Sequence, residues 1–112
     1  MKLKDRQMQY FETALWSSGD EFDEFSITDI AEESIIKGVK ELEDFLDDEV
    51  MDLVGDSDLT TVAHDFWLTR CGHGAGFWDG DYEHGDRLTE LCEKFKSLDL
   101  VLGDDNKIHM EG

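Results

Sequence analysis

The chain is 112 residues long, close to one domain, and its 39% hydrophobic and 11% aromatic content supplies a real core and excludes wholesale disorder. Asp and Glu number 29 against 10 Lys and Arg, a formal charge of −19 with no basic patch, which excludes direct binding to nucleic acid or to an anionic membrane surface. No apolar run approaches the ~18 residues of a membrane span, and two cysteines make a reducing compartment a better expectation than a disulfide framework.

A first helix is predicted over residues 4–16, with Met8, Phe11 and Leu15 at three- and four-residue spacing. Ser17, Ser18 and Gly19 end it. Residues 20–25 read as an acidic linker in which Phe22 and Phe25 tuck inward. A second, longer helix follows, capped by Ser26 or Thr28 and striped with Ile35, Val39, Leu42, Leu46 and Leu53 as far as Gly55. Asp29, Glu32 and Glu33 occupy its first turn, which suits the positive end of the dipole, and Glu33–Lys37 and Lys40–Asp44 are i,i+4 pairs. Gly38 weakens its middle modestly. Asp44, Asp47, Asp48, Glu49 and Asp52 then gather toward its C-terminal half, the unfavourable end for negative charge. That placement points to a use other than helix stability, an acidic binding surface.

A third helix, capped by Ser57 or Asp58, carries Leu59, Val62, Ala63 and Phe66. The alternation Val62, His64, Phe66, Leu68 also fits a strand, but the cap and the stop at Gly72 favour the helix. Residues 72–76 form a glycine-rich loop. Asp86 caps a fourth helix with Leu88, Leu91, Cys92 and Phe95. Residues 98–102 and 107–110 flank Gly103-Asp104-Asp105-Asn106, a hairpin signal. The expected fold is α+β and mainly helical: about four helices with a small C-terminal β-hairpin, in a single compact domain, 1–112. The basic residues at 1–6 are followed by no apolar stretch, so no signal peptide is expected.

The densest segment is 64–81, which holds two of the three tryptophans, two of the four histidines and four of the ten glycines. Such a concentration reads as a loop-borne site on a rigid scaffold. Within it Asp65-Phe66-Trp67-Leu68-Thr69-Arg70 and Gly72-His73-Gly74-Ala75-Gly76-Phe77-Trp78-Asp79 resemble a run similar to D-F-W-L-T-R-N-G-H-G-A-G-F-W-D. That run marks a family of small, uncharacterised proteins encoded by bacteriophages. Gly85-Asp86-Arg87-Leu88-Thr89 extends the likeness. Cys71 stands where the run has asparagine, and Gly80 where it has a basic residue. The resemblance implies phage origin and an accessory role in the cytoplasm of the infected host cell.

Several chemistries fit the segment. His73 with Asp79, or His64 with Asp65, fits an acid–base pair, and Cys71 near His73 invites a thiolate nucleophile with glycine amides as an oxyanion pocket. Adjacent side chains seldom aim together, however, and no complete nucleophile–base–orienter set is spaced recognisably, so no catalytic residue is assigned. Cys71, His73, His84 and Cys92 include soft metal ligands without a zinc spacing. Asp79, Asp81, Glu83 and Glu90 fall on a calcium-loop template that lacks its central glycine. No metal or cofactor is therefore assigned.

A recognition core is the preferred reading. Arg70 pairs with Asp65 or Asp79, or stacks on Trp67 or Trp78, and the binding residues of the segment are Asp65, Trp67, Arg70, His73, Trp78 and Asp79. Simple core packing of these aromatics is the plain alternative.

From Asp20 to Asp58 sixteen acids face only Lys37 and Lys40. Charge runs are usually solvated surface, for solubility or salt adaptation. The sharper expectation is a phage protein that binds a basic, nucleic-acid-binding surface of a host protein and inhibits or redirects it, with carboxylates standing where DNA phosphates would stand. The alternative is a small enzyme or a metal- or small-molecule-binding protein built on the glycine-rich loop.

Overall fold

The buried face of α1 (Asp5–Ser17) runs through Gln7, Tyr10, Phe11 and Ala14, at positions i, i+3, i+4 and i+7 of one helical stripe. Met8, expected on that face, lies a 100° step away from Gln7 and is exposed. The computed structural model describes residues 2–72, 76–77 and 82–111. Among them are five α-helices and one two-stranded hairpin, so the fold is mainly helical as expected, with one helix more than about four.

The extra helix comes from a break in the long second one. Two short 3-10 turns follow α1, Asp20–Phe22 and Ile27–Asp29, and Ser26 caps the second of them, with Asp29 accepting the Ser26 N–H at 2.8 Å. Neither Ser26 nor Thr28 caps α2 (Glu32–Phe45). Ile30 and Ala31 are instead drawn out beside the hairpin, where Ala31 N–H donates to the Ile108 carbonyl at 2.8 Å. The chain leaves helical geometry at Leu46 (ψ 53°), and Asp47 is extended with its carboxylate accepting the Val50 N–H at 3.0 Å. α3 (Asp48–Val54) starts there and ends at Gly55, whose φ of +56° is left-handed. Lys40–Asp44 forms as an i,i+4 pair, whereas Glu33 turns away from Lys37 to His109, 3.3 Å away.

The expected third helix is α4 (Leu59–Arg70), capped by Asp58, which settles 59–70 as helix rather than strand. Its Val62, Ala63, Phe66, Trp67, Leu68 and Arg70 are buried on several sides, as befits a central helix, and α1 packs chiefly on it. Gly76 lies against this helix; a Cβ there would collide with the Thr69 hydroxyl, which accepts the Phe77 N–H at 3.1 Å. α5 (Gly85–Cys92) takes His84, not Asp86, at its N-cap, and Asp86 sits in its first turn. Phe95 lies beyond the helix end but still packs on the core.

β1 (Asp99–Leu102) and β2 (Ile108–Glu111) pair antiparallel, joined by a turn in which Asn106 takes the left-handed conformation, φ 62°. The hairpin is pinned to α2 by Met110 N–H donating to the Ser34 hydroxyl at 3.0 Å. At the centre, Phe45 and Phe66 stack 4.2 Å apart, flanked by Tyr10, Phe77 and Phe95.

Candidate functional site

Two surfaces were expected from the sequence, and the fold treats them differently. In the aromatic segment, α4 carries Asp65, Trp67 and Arg70 inward. Trp67 is buried, with its indole N–H donating to the Ser17 hydroxyl at 2.8 Å. Asp65 accepts the Tyr82 hydroxyl at 2.7 Å, and burial, reinforced by that bond, raises the tyrosine's pKa.

Arg70 does not pair with Asp65 or stack on Trp67. It lies buried between the rings of Phe66 and Phe95, 5.5 and 5.6 Å from their centroids. Its Nε and Nη2 both donate to the Lys96 carbonyl, at 2.9 and 2.6 Å, and Nη1 donates to the Tyr10 hydroxyl and to Glu41 Oε1, each at 2.9 Å. Burial opposes its charge, but Tyr10 and Glu41 outweigh that penalty and the guanidinium stays cationic, its pKa raised. This arrangement seals the core; Trp67 and Arg70 are not presented to a partner. His73, Trp78 and Asp79 lie outside the described residues.

The nucleophile and acid–base ideas meet other partners. Burial raises the pKa of the Cys71 thiol, which donates to the Leu98 carbonyl at 3.8 Å, the opposite of an activated thiolate. His64 turns from Asp65 to Thr13, with 2.9 Å between Nδ1 and Oγ1. The Thr13 hydroxyl also lies 2.8 Å from the Gln9 carbonyl, so His64 is engaged by α1 rather than by Asp65. Burial pushes the Cys92 thiol up to about 12. The Asp79–Glu90 calcium template loses Asp79 and Asp81 to the undescribed residues, and the described His, Cys, Asp and Glu form no cluster of three fit for a metal ion.

The acidic surface lies on α3 and its flanks. Asp47, Asp48 and Asp52 are exposed, and no Lys, Arg or His reaches them among the described residues. Asp48 and Asp52 share one side of the helix at i,i+4, where like charges repel. Asp44 is bound by Lys40 at 2.7 Å and Glu49 by the fork of Arg87, at 2.9 and 3.0 Å, so two of the five expected acids are locally compensated. The dipole argument holds for Asp44 and Asp52, in the last turns of α2 and α3, and fails for the other three. Asp47 is a cap, and Asp48 and Glu49 occupy the first turn of α3, where carboxylates are favourable.

Two further acids extend the face. Asp56 and Asp58 are exposed beyond Gly55, and Asp58 accepts the N–H and hydroxyl of Thr60, which holds its carboxyl below the usual range. Met51, 40% exposed, sits among these carboxylates. Inward, Glu41 and Glu43 are consumed by Arg70 and Arg6. The α3 edge is thus one exposed acidic patch of the chain; Glu12, Asp20, Glu21, Asp23 and Glu24, at the end of α1 and the first 3-10 turn, are exposed as well.

Comparison with family models, with curated proteins and with solved structures gave no match to this chain. Among the described residues no helix is long and apolar enough to cross a membrane.

Proposed function

We propose that this chain is a small acidic accessory protein of phage origin that binds a cationic, nucleic-acid-binding surface of a host protein in the cytoplasm of the infected cell and inhibits or redirects it. The observation that carries the reading is the run Asp47, Asp48, Asp52, Asp56 and Asp58, exposed along one short helix and its C-terminal turn without a cation to answer it among the described residues. All three of the protein's arginines are ion-paired, Arg6 with Glu43, Arg70 with Glu41, and Arg87 with Glu90 and with Glu49 of α3 itself, so none is left for these five aspartates. A face left this negative steers cationic surfaces toward itself and repels nucleic acid. Its carboxylates stand in for DNA phosphates, and Met51 adds an apolar contact to a charge-led encounter.

The test is binding to purified bacterial DNA-binding proteins, and inhibition of their DNA binding, over a salt series. Affinity should fall by at least ~10-fold between roughly 50 and 200 mM salt. The variant Asp48→Asn/Asp52→Asn/Asp56→Asn should lose at least ~10-fold at low salt while keeping its thermal midpoint. Salt-insensitive binding, or full binding by that variant, would sink the reading.

A further inference from the structure

Away from α3, a groove of about 480 Å³ opens between the end of α1 and the two 3-10 turns. Its floor is apolar, built from Leu15, Phe22 and Phe25, with the two phenylalanine rings 6.0 Å apart. Trp16 forms one wall. It is 69% exposed, the opposite of the buried Trp67, and with Phe25 it continues the apolar floor to the surface. The ring is held beside His64 at 5.9 Å, and His64 is itself tied to Thr13, so the wall has a fixed backing.

The rim is acidic. Glu12 and Asp23 line the groove, and Asp20, Glu21 and Glu24 are exposed beside it; no ion pair engages any of the five among the described residues. A cation does approach the far margin, where Lys107 reaches the Thr28 carbonyl at 3.4 Å, but it bonds backbone and leaves the rim carboxylates alone.

An apolar floor, an indole wall and a carboxylate rim together match one side chain better than any other. Arginine has an aliphatic stem for the floor, a flat, weakly hydrated guanidinium that stacks on indole, and a donor fork for carboxylates. We infer that this groove is a docking site for an extended, arginine-bearing peptide segment of a partner protein, with one arginine laid over Phe22 and Phe25 against Trp16 and its fork on Glu12 or Asp23. The site stands independently of the α3 face, whose carboxylates take no part in the groove.

The experiment titrates the whole protein with a short acetylated and amidated peptide of alternating leucine and arginine, against the same peptide carrying citrulline in place of arginine. Readouts are affinity and the indole N–H resonance of Trp16. The arginine peptide should shift that resonance and bind at least ~10-fold more tightly than the citrulline peptide. Trp16→Ala, and separately Glu12→Gln/Asp23→Asn, should each weaken binding by about 5-fold or more, and Asp48→Asn/Asp52→Asn by less than about 2-fold. All these side chains are exposed, so circular dichroism should show native helicity in each variant. Equal binding of the citrulline peptide, or undiminished binding by Trp16→Ala, would overturn the proposal. So would binding lost only in the Asp48/Asp52 variant, which would move the peptide to α3. Self-association abolished by Trp16→Ala would overturn it too, by assigning the groove to a second copy of the chain.

Discussion

Arg70 and Glu41 close an ion pair across 29 residues of sequence, 2.9 Å between Nη1 and Oε1, with the arginine side chain buried and the glutamate half-buried. The same guanidinium holds Tyr10 and the Lys96 carbonyl, so one side chain ties α1, α2 and α4 to the segment after α5. Arg70→Met fills similar volume but strands a carboxylate, a buried hydroxyl and a carbonyl. It should cost about 3–5 kcal/mol, seen as a large drop in the urea midpoint. Glu41→Gln keeps an acceptor for Nη1 and should cost only about 1–2 kcal/mol.

Gly38 faces Phe11 so closely that an added Cβ would lie 2.6 Å from the ring, and Phe11 has no exposed surface through which to retreat. Helix propensity alone says Gly38→Ala should stabilise α2 by about 1 kcal/mol. Overpacking at the α1–α2 contact costs about 1–3 kcal/mol and wins. The variant should melt earlier than the wild type, and Phe11→Leu introduced alongside should recover part of the loss.

What was readable in the sequence, and what was not, follows from the range of the forces involved. Asp58 with Leu59, Val62, Ala63 and Phe66, and the turn at 103–106, are local signals of cap, period and hairpin, and the structure keeps them. The α2–α3 break was hidden because Leu46 and Leu53 stay in phase with Ile35 and Leu42 and remain packed on the core. A stripe cannot report the ψ of Leu46. Arg70's partners were invisible for another reason: Tyr10, Glu41 and Lys96 are brought to it by tertiary packing, and no spacing encodes that. The acidity of residues 44–58 was legible as charge. That Asp47 is a cap was legible only once the helix was known to restart there.

Asp47 therefore separates two roles in one side chain. Asp47→Ala removes the acceptor for Val50 N–H and should cost about 1 kcal/mol, with a loss of helical signal from α3. Asp47→Asn keeps a capping oxygen and removes the charge. It should leave the thermal midpoint within a few tenths of a kcal/mol of wild type and weaken binding to a cationic partner. Equal destabilisation by both substitutions would mean that charge at the helix start, rather than the cap, holds α3 in place.

Two thiols, and above pH 10 the tyrosines Tyr10 and Tyr82, whose pKa values burial also raises, together weaken the fold in alkali. Cys92 ionises at about 12 when folded because burial disfavours the thiolate, against 9.0 for the free side chain, and Cys71 is raised for the same reason. A folded pKa above the unfolded one means that the unfolded chain releases the proton first. This contribution is fully present below pH 9 and is lost as pH climbs toward 12, by about 1.4 kcal/mol per pH unit for Cys92. Urea midpoints should fall from pH 8 to pH 11, and Cys92→Ala, once corrected for its cavity, should remove the part of that fall that begins near pH 9 and belongs to Cys92. At pH 8 a disulfide reagent should label half-buried Cys71 slowly, and Cys92 only at the rate of unfolding. Rapid labelling of Cys71 in the native protein would reveal an activated thiolate and revive a nucleophilic role for the segment after α4.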